Sequence, residues 1–484
     1  MRKSVRSGIG LLCGLAVSAG FVSSAVRLSA RGQGQLQDAG VPHRTLQVSP
    51  GDFQKVIAQA KPGDIIVLAE GEWPNVTFTI EKGGIQGNPL KIRAKTPGKT
   101  IFTGSSSLEI AAPYVSVEGL LFQKGAIKKG TVIRFSSHDG SVRNCAILDY
   151  NPANLETQYY WVFFSGDNNR LDRSYFKGKS NMGPLIGNDL AGSRHNSVTG
   201  CYFKDIPYRK ANGREIMRIW GYGKYGAMGE EGSYFTIEGN LFDHSDGEGQ
   251  EIISLKSNHN RVIRNTILGT RGGIVLRGGN DNTVSDNIIL GQGATKSYGV
   301  RIAGQHHIVE HNYISNCDHG IDILCGDYIK EDLTGSYVPK TSTDALKIRV
   351  PTYGQVKDLH LIGNIIVGNK KSDLEIGGSY KRQWPTDQMV LLPEDCLIAS
   401  NRFIRPEGGD SVIGTAQDSA APLNRFTFKS NRYEHNLLLG GAIAFAPSAA
   451  GFLRQDLPKG WSEIKERTGF KPLTPSDVGP DWVK

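Results

Sequence analysis

One short pattern of apolar and polar positions recurs along most of the chain. One or two apolar residues are followed by a polar or small residue, an Asn or Gly, one further residue and an apolar pair. It reads Val117-Glu118-Gly119-Leu120-Leu121-Phe122, Val142-Arg143-Asn144-Cys145-Ala146-Ile147 and Ile237-Glu238-Gly239-Asn240-Leu241-Phe242, and continues through Val309-Glu310-His311-Asn312-Tyr313-Ile314 to Asn431-Arg432-Tyr433. From Asn240 to Asn265, Asn287 and Asn312 the steps are 25, 22 and 25 residues, the length of one coil of a parallel β-helix. Asn and Gly suit the sharp bends between strands because both tolerate left-handed backbone, and stacked Asn amides can bond from coil to coil. A sandwich or propeller would instead show hairpin turns such as Asn-Gly. The pattern predicts an all-β chain folded as a single-stranded right-handed parallel β-helix.

A solenoid must cover its ends, because a bare terminal coil exposes apolar core and unpaired strand edges. Ser49 or Asp52 is placed to cap an amphipathic helix from Phe53 to Ala60, ahead of the strand Ile65-Ile66-Val67-Leu68. This helix is the expected amino-terminal lid. After about Gly460 the repeat is lost, and the stretch that includes Thr474 to Pro480 is expected as an irregular carboxy-terminal cap.

Composition adds the compartment and the partner. Sixty glycines beside 38% hydrophobic residues fit many tight turns between short strands. Arg2, Lys3 and Arg6 precede an apolar, small-residue stretch from Ile9 to Val26, the layout of a secretory signal peptide. Residues 1–30 are therefore read as a removed signal, and 31–484 as one β-helix domain, periplasmic or secreted. No other stretch is apolar for long enough to span a bilayer, so no membrane partner is expected after signal removal. The remaining cysteines, Cys145, Cys201, Cys317, Cys325 and Cys396, are odd in number and have no CxxC spacing, which argues against a disulfide framework or a zinc site. A formal charge of +9 suggests an anionic partner. Basic residues scattered without a nucleic-acid-binding motif, on an exported chain, point to an acidic polysaccharide and away from nucleic acid. Oligomeric state leaves no signal.

Two strand patterns carry the chemistry. In Ile253-Ser254-Leu255-Lys256-Ser257 and Gly273-Ile274-Val275-Leu276-Arg277-Gly278, an inward Leu precedes an outward basic residue. Lys256 and Arg277 are nearly one coil apart, so they are expected at one angular position on neighbouring coils, about 5 Å apart. An anionic substrate across them would relieve their repulsion. Upstream lie Asp246-Gly247-Glu248-Gly249-Gln250-Glu251 and Asn212-Gly213-Arg214-Glu215-Ile216-Met217-Arg218. Carboxylates and an amide near a lysine suit a hard, oxygen-liganded cation such as calcium. The reaction such a set serves is removal of the proton alpha to a uronate carboxylate, followed by loss of the 4-O-linked sugar. Strict alternation puts Glu251 and Lys256 on opposite faces, so a bend before Ile252 is required if both line one site. Glu215 is expected to order its loop, and His306, His307 and His311 to be ordinary rung or surface residues.

At these residues the chain resembles polysaccharide lyase family 6, which contains alginate lyases and chondroitinase B. The family's Asn-Gly-x-Glu-x-x-Arg is matched at Asn212 to Arg218, its Ile-Ser-x-Lys-Ser at Ile253 to Ser257 behind Glu251, and its Gly-Ile-Val-Leu-Arg at Gly273 to Arg277. The resemblance implies a uronate lyase with Lys256 as base, Arg277 as acid, and Asn212, Glu248 and Glu251 as ligands of a calcium ion. It also implies that Lys177, Lys179 and Arg218 hold substrate carboxylates. Family members with a calcium site usually carry Glu-x-Glu, whereas position 249 is Gly, and the His that often follows the catalytic arginine is Gly278 here. Alginate is the first expected substrate and dermatan or chondroitin sulfate the second. The rival from another class is a non-catalytic polysaccharide-binding β-helix. A hydrolase would need paired carboxylates about the scissile bond, and Asp246, Asp281 and Asp286 form no such pair.

Overall fold

The computed structural model describes residues 43–189, 193–221, 232–329, 353–378, 388–414, 430–444 and 450–483. The expected signal, residues 1–30, lies outside the described residues. Three parallel sheets of 14, 14 and 13 strands are built in rotation, so that each coil gives one strand to each sheet in turn. The first sheet starts at Thr45–Val48, the second at Gly71–Pro74 and the third at Thr77–Ile80. This is the parallel β-helix that the repeat predicts.

The inward positions stack by residue type. On the second sheet one buried column runs Phe102, Phe122, Ile147, Phe176, Phe203, Phe242 and on to Phe403. Ring centroids in it lie 4.8 Å apart for Phe203 and Phe242, against a strand spacing of about 4.8 Å. At the bend between the first and second sheets, Asn240, Asn265, Asn287, Asn312, Asn364, Asn401 and Asn436 form one ladder. Each side-chain amide donates to the next Oδ1 at 2.9 to 3.0 Å. Cys145, Ser174 and Cys201 continue that column toward the amino end, Cys201 N–H donating to Asn240 Oδ1 at 2.8 Å. The five described cysteines are free and buried. His307, fully buried, ends a second such ladder by accepting from Asn282 N–H at 3.1 Å, and burial pushes its imidazole down to about 4.

The ladder makes a stability prediction. Asn312 donates to Val284 O and Asn364 Oδ1 and accepts from Asn287. Asn312→Leu strands these buried partners and is expected to cost about 3 kcal/mol. Denaturant unfolding reads this, and a midpoint equal to the parent's would refute a stabilising ladder.

At the amino end the helix Phe53–Ala58 buries Phe53 and Ile57 over the first coil, with the Phe53 and Phe78 rings 3.8 Å apart. Asp52 stands at its N-cap but makes no side-chain capping bond; Ser49 Oγ donates to Asp52 Oδ2 at 2.6 Å instead. The tail after Gly460 differs from the expected end cap. Its short helix Glu463–Glu466 docks on Tyr313 and Asn316 through Glu463, and the chain then runs back along the outer face of the second sheet. Leu473 N–H meets Thr266, Gly479 N–H meets Gly200 O, and Trp482 Nε1 reaches Asn144 O at 3.0 Å. Outward apolar residues on that face, including Leu121, Tyr175, Tyr202 and Leu241, are what it covers.

Candidate active site on the third sheet

The strand Glu251–Lys256 lies between Met217–Trp220 and Gly273–Gly278. Leu255 and Leu276 pair and are fully buried, so alternation turns Lys256 and Arg277 outward. The register against Gly273–Gly278 shifts twice, between Glu251 and Ile253 and between Leu255 and Lys256. The first shift is the bend that alternation demands. It brings Glu251 to the face of Lys256, where Ser254 Oγ donates to Glu251 Oε2 at 2.5 Å.

The second shift changes the expected pair. Lys256 stands opposite Gly278 and not Arg277, so the two cations are not stacked in register. Each has its own carboxylate and its own ring. Lys256 Nζ lies 3.2 Å from Glu215 Oε1 and 4.8 Å from the Trp220 ring centroid. Arg277 Nε lies 3.6 Å from Glu251 Oε1, and its guanidinium sits 4.4 Å from the Tyr353 centroid.

Glu215, Glu248 and Glu251 bring one oxygen each within 4.8 Å of one another. Glu248 Oε2 accepts from the Gly213 and Arg214 N–H groups at 2.7 and 3.2 Å. Burial first, then the charges of Glu215 and Glu251, push the Glu248 carboxyl up to about 7. Glu215 Oε2 is buried with no hydrogen-bond partner among the described residues, Arg218 Nη1 standing 3.6 Å away. A buried acceptor left unmade and three mutually repelling carboxylates are what a hard cation would relieve. The donors are all oxygens, and Asn212 lines the same pocket, so the residues present fit such an ion.

Glu215 is therefore a correction. It does more than order its loop: it joins the carboxylate cluster and touches Lys256, because the loop enters the third sheet at Met217 and carries Glu215 inward to 1% exposure. Its place three residues before Arg218 in the matched motif was the available signal. Lys179 is a second correction. Its ammonium is buried, donating to Asn181 O, Asn181 Oδ1 and Gly183 O at 3.0, 3.0 and 2.8 Å. Burial, with help from Arg214, holds it well below the usual lysine range. It fastens a loop and cannot meet a substrate carboxylate from there. Lys177 lies on the second sheet between Leu148 and Lys204, with Asp205 Oδ2 at 3.8 Å, away from the pocket lining. Arg218 donates to Tyr160 Oη at 2.9 Å and faces Glu215, so it braces the cluster.

The pocket itself, about 550 Å³, is lined by Lys256, Arg277, Asn212, Glu248 and Glu251 together. Tyr208, Lys210, Arg271, Lys296 and Tyr353 also line it. The sequence pattern singled out none of these five, because all lie in turns outside the repeat.

The chondroitinase B family model matches residues 48–323. Among solved structures, a polysaccharide lyase family 6 enzyme from Pseudopedobacter saltans is 40% identical, with a TM-score of 0.76 over 90% of this chain and 99% of that one. A mannuronic-acid-specific family 6 lyase from human gut microbiota is 25% identical, with a TM-score of 0.73 over 91% of this chain and 96% of that one. The family 6 alginate lyase AlyGC is also 25% identical, with a TM-score of 0.73 over 90% of this chain, which spans 58% of that longer protein. No curated protein matches.

Proposed function

Because the chain belongs to polysaccharide lyase family 6, we propose that it cleaves alginate by β-elimination, with Lys256 as base and Arg277 serving the leaving oxygen. The observation that carries this reading is one pocket holding Lys256, Arg277 and the carboxylates Glu248 and Glu251. Calcium, held by Glu215, Glu248 and Glu251 with Asn212, would supply positive charge to neutralise the uronate carboxylate.

The chain's own residues account for the proton transfers. Lys256, as the free amine, accepts the C5 proton. The C5–H electron pair becomes the C4=C5 double bond, and the C4–O4 bond breaks with its electrons on O4. Arg277 hydrogen-bonds O4, stabilises the charge that builds there as the C4–O4 bond breaks and passes it a proton, which the guanidine regains from solvent. The departing sugar keeps that oxygen as its new reducing-end hydroxyl, and the other product begins with an unsaturated uronate. Trp220 lies beside Lys256 and Tyr353 beneath the Arg277 guanidinium, so each side chain is positioned against an aromatic face.

Similarity to an alginate lyase and to a mannuronic-acid-specific lyase supports alginate. The match to the chondroitinase B family model supports dermatan or chondroitin sulfate as the second reading. The basic, then apolar amino terminus supports export to where such polymers lie. The test follows absorbance of the unsaturated uronate with alginate, its mannuronate-rich and guluronate-rich fractions, and dermatan sulfate, each with and without chelator. Product is expected from alginate, lost in chelator and restored by calcium. Product from dermatan sulfate alone selects the second reading, and binding without product from any uronate polymer leaves a non-catalytic binding protein.

A further inference from the structure

Part of the pocket lining is basic and has no part in the proton transfers. Lys210, Arg271 and Lys296 line it, and Arg271 is built into a support. Its guanidinium carbon lies 4.0 Å from the Tyr208 ring centroid, and its backbone N–H donates to Asp246 Oδ1 at 2.8 Å. Its Nε is buried without a hydrogen-bond partner among the described residues. The support depends on Gly249. With φ at +88°, a Cβ there would lie 2.6 and 2.7 Å from two carbons of the Tyr208 ring and 3.6 Å from Arg271 Nε. Successive coils carrying Tyr208, Gly249 and Arg271 are thus fitted so that the ring slides under the guanidinium.

The position of this group relative to the reacting centre is set by register. Gly273, the first residue of its strand, pairs with Glu251, so Arg271, two residues earlier, enters the pocket on the side of the carboxylate cluster away from Arg277. A planar guanidinium presents paired N–H groups that match a carboxylate, and a ring beneath it keeps the fork flat and limits the freedom lost on binding.

We propose that Arg271, held on Tyr208, is a specificity-determining residue that binds the carboxylate of the uronate next to the one cleaved. The pocket then selects runs of consecutive uronates over polymers in which uronates alternate with uncharged sugars. This rests on the reading of the site as a uronate lyase.

The test compares alginate with alginate whose carboxyl groups are partly reduced to neutral hexoses. Arg271→Gln is expected to lower kcat/KM on alginate about tenfold, most of it in KM, and to erase the parent's preference for the unreduced polymer. Arg271→Lys keeps the charge without the fork and recovers less than half of that loss. Tyr208→Leu follows Arg271→Gln, whereas Tyr208→Phe, which keeps the ring, recovers most of that loss. Unchanged KM and unchanged preference in Arg271→Gln overturn the assignment. A second measurement separates it from the lyase reading. Calorimetric titration of the Lys256→Ala protein with a saturated mannuronate tetramer should show binding that adding Arg271→Gln weakens about tenfold. If that weakening is seen while the parent yields no unsaturated product, the lyase reading fails and Arg271 stands. Absent binding, or binding that Arg271→Gln leaves unaltered, overturns the proposal whatever the turnover.

Discussion

Lys256→Ala lowers kcat/KM for uronate elimination by about 10³-fold or more, while oligosaccharide binding survives. The size follows from what is lost. A positioned base contributes about 10² to 10⁴, and two other carboxylates lining the pocket, Glu248 and Glu251, are engaged by backbone N–H groups, by Ser254 and by Arg277. The steady-state rate of unsaturated uronate formation reads the loss, and binding of a saturated oligomer shows that the pocket is still built. Turnover above a tenth of the parent's would remove Lys256 from the base role. Arg277→Ala is expected to cost about 10²-fold on the same assay, because an unassisted leaving oxygen must take its proton from water.

Glu215→Gln carries the second large effect, and it separates two roles for one residue. The amide keeps the size and most of the hydrogen-bonding shape of the acid, so a residue that merely orders its loop would tolerate it. Glu215 is placed to do more: its Oε1 lies 3.2 Å from Lys256 Nζ and orients that side chain, and it is one of three carboxylates with oxygens within 4.8 Å of one another. Loss of its charge is expected to reduce kcat/KM about 10²-fold and to weaken calcium binding about tenfold in a calorimetric titration. Near-parental activity and calcium affinity in this variant would return Glu215 to a structural role.

The fold was legible because its energetics leave a periodic trace. An Asn that must bond to the Asn one coil away cannot drift in sequence, so Asn240, Asn265, Asn287 and Asn312 mark the coil length directly. The outward direction of Lys256 and Arg277 was legible because each follows an inward Leu within its strand. Residues carried by turns were not. Nothing in Phe176-Lys177-Gly178-Lys179 distinguishes a lysine that faces solvent from one that folds under its own loop to hold four oxygens. Glu215 was undervalued because its loop has no period from which to read a direction. Gly249 was read as a missing acid, yet its absent side chain is the space that the Tyr208 ring fills. The register shift that separates Lys256 from Arg277 depends on how an extra residue is absorbed between two strands, which alternation alone does not encode.

The returning tail has a consequence for how the molecule comes apart. A solenoid held by neighbour-to-neighbour contacts alone frays coil by coil, each loss independent of coils further along. Here Glu463 is moored at Tyr313 and Trp482 at Asn144, so one peptide strap spans the coils from 144 to 313. Loosening any coil between those moorings pulls on all of them. The strap turns a row of separable units into a single cooperative body, and it lies across the coils that carry Lys256 and Arg277. A protease that cuts the strap would therefore act on the active site from the opposite flank, without touching the pocket.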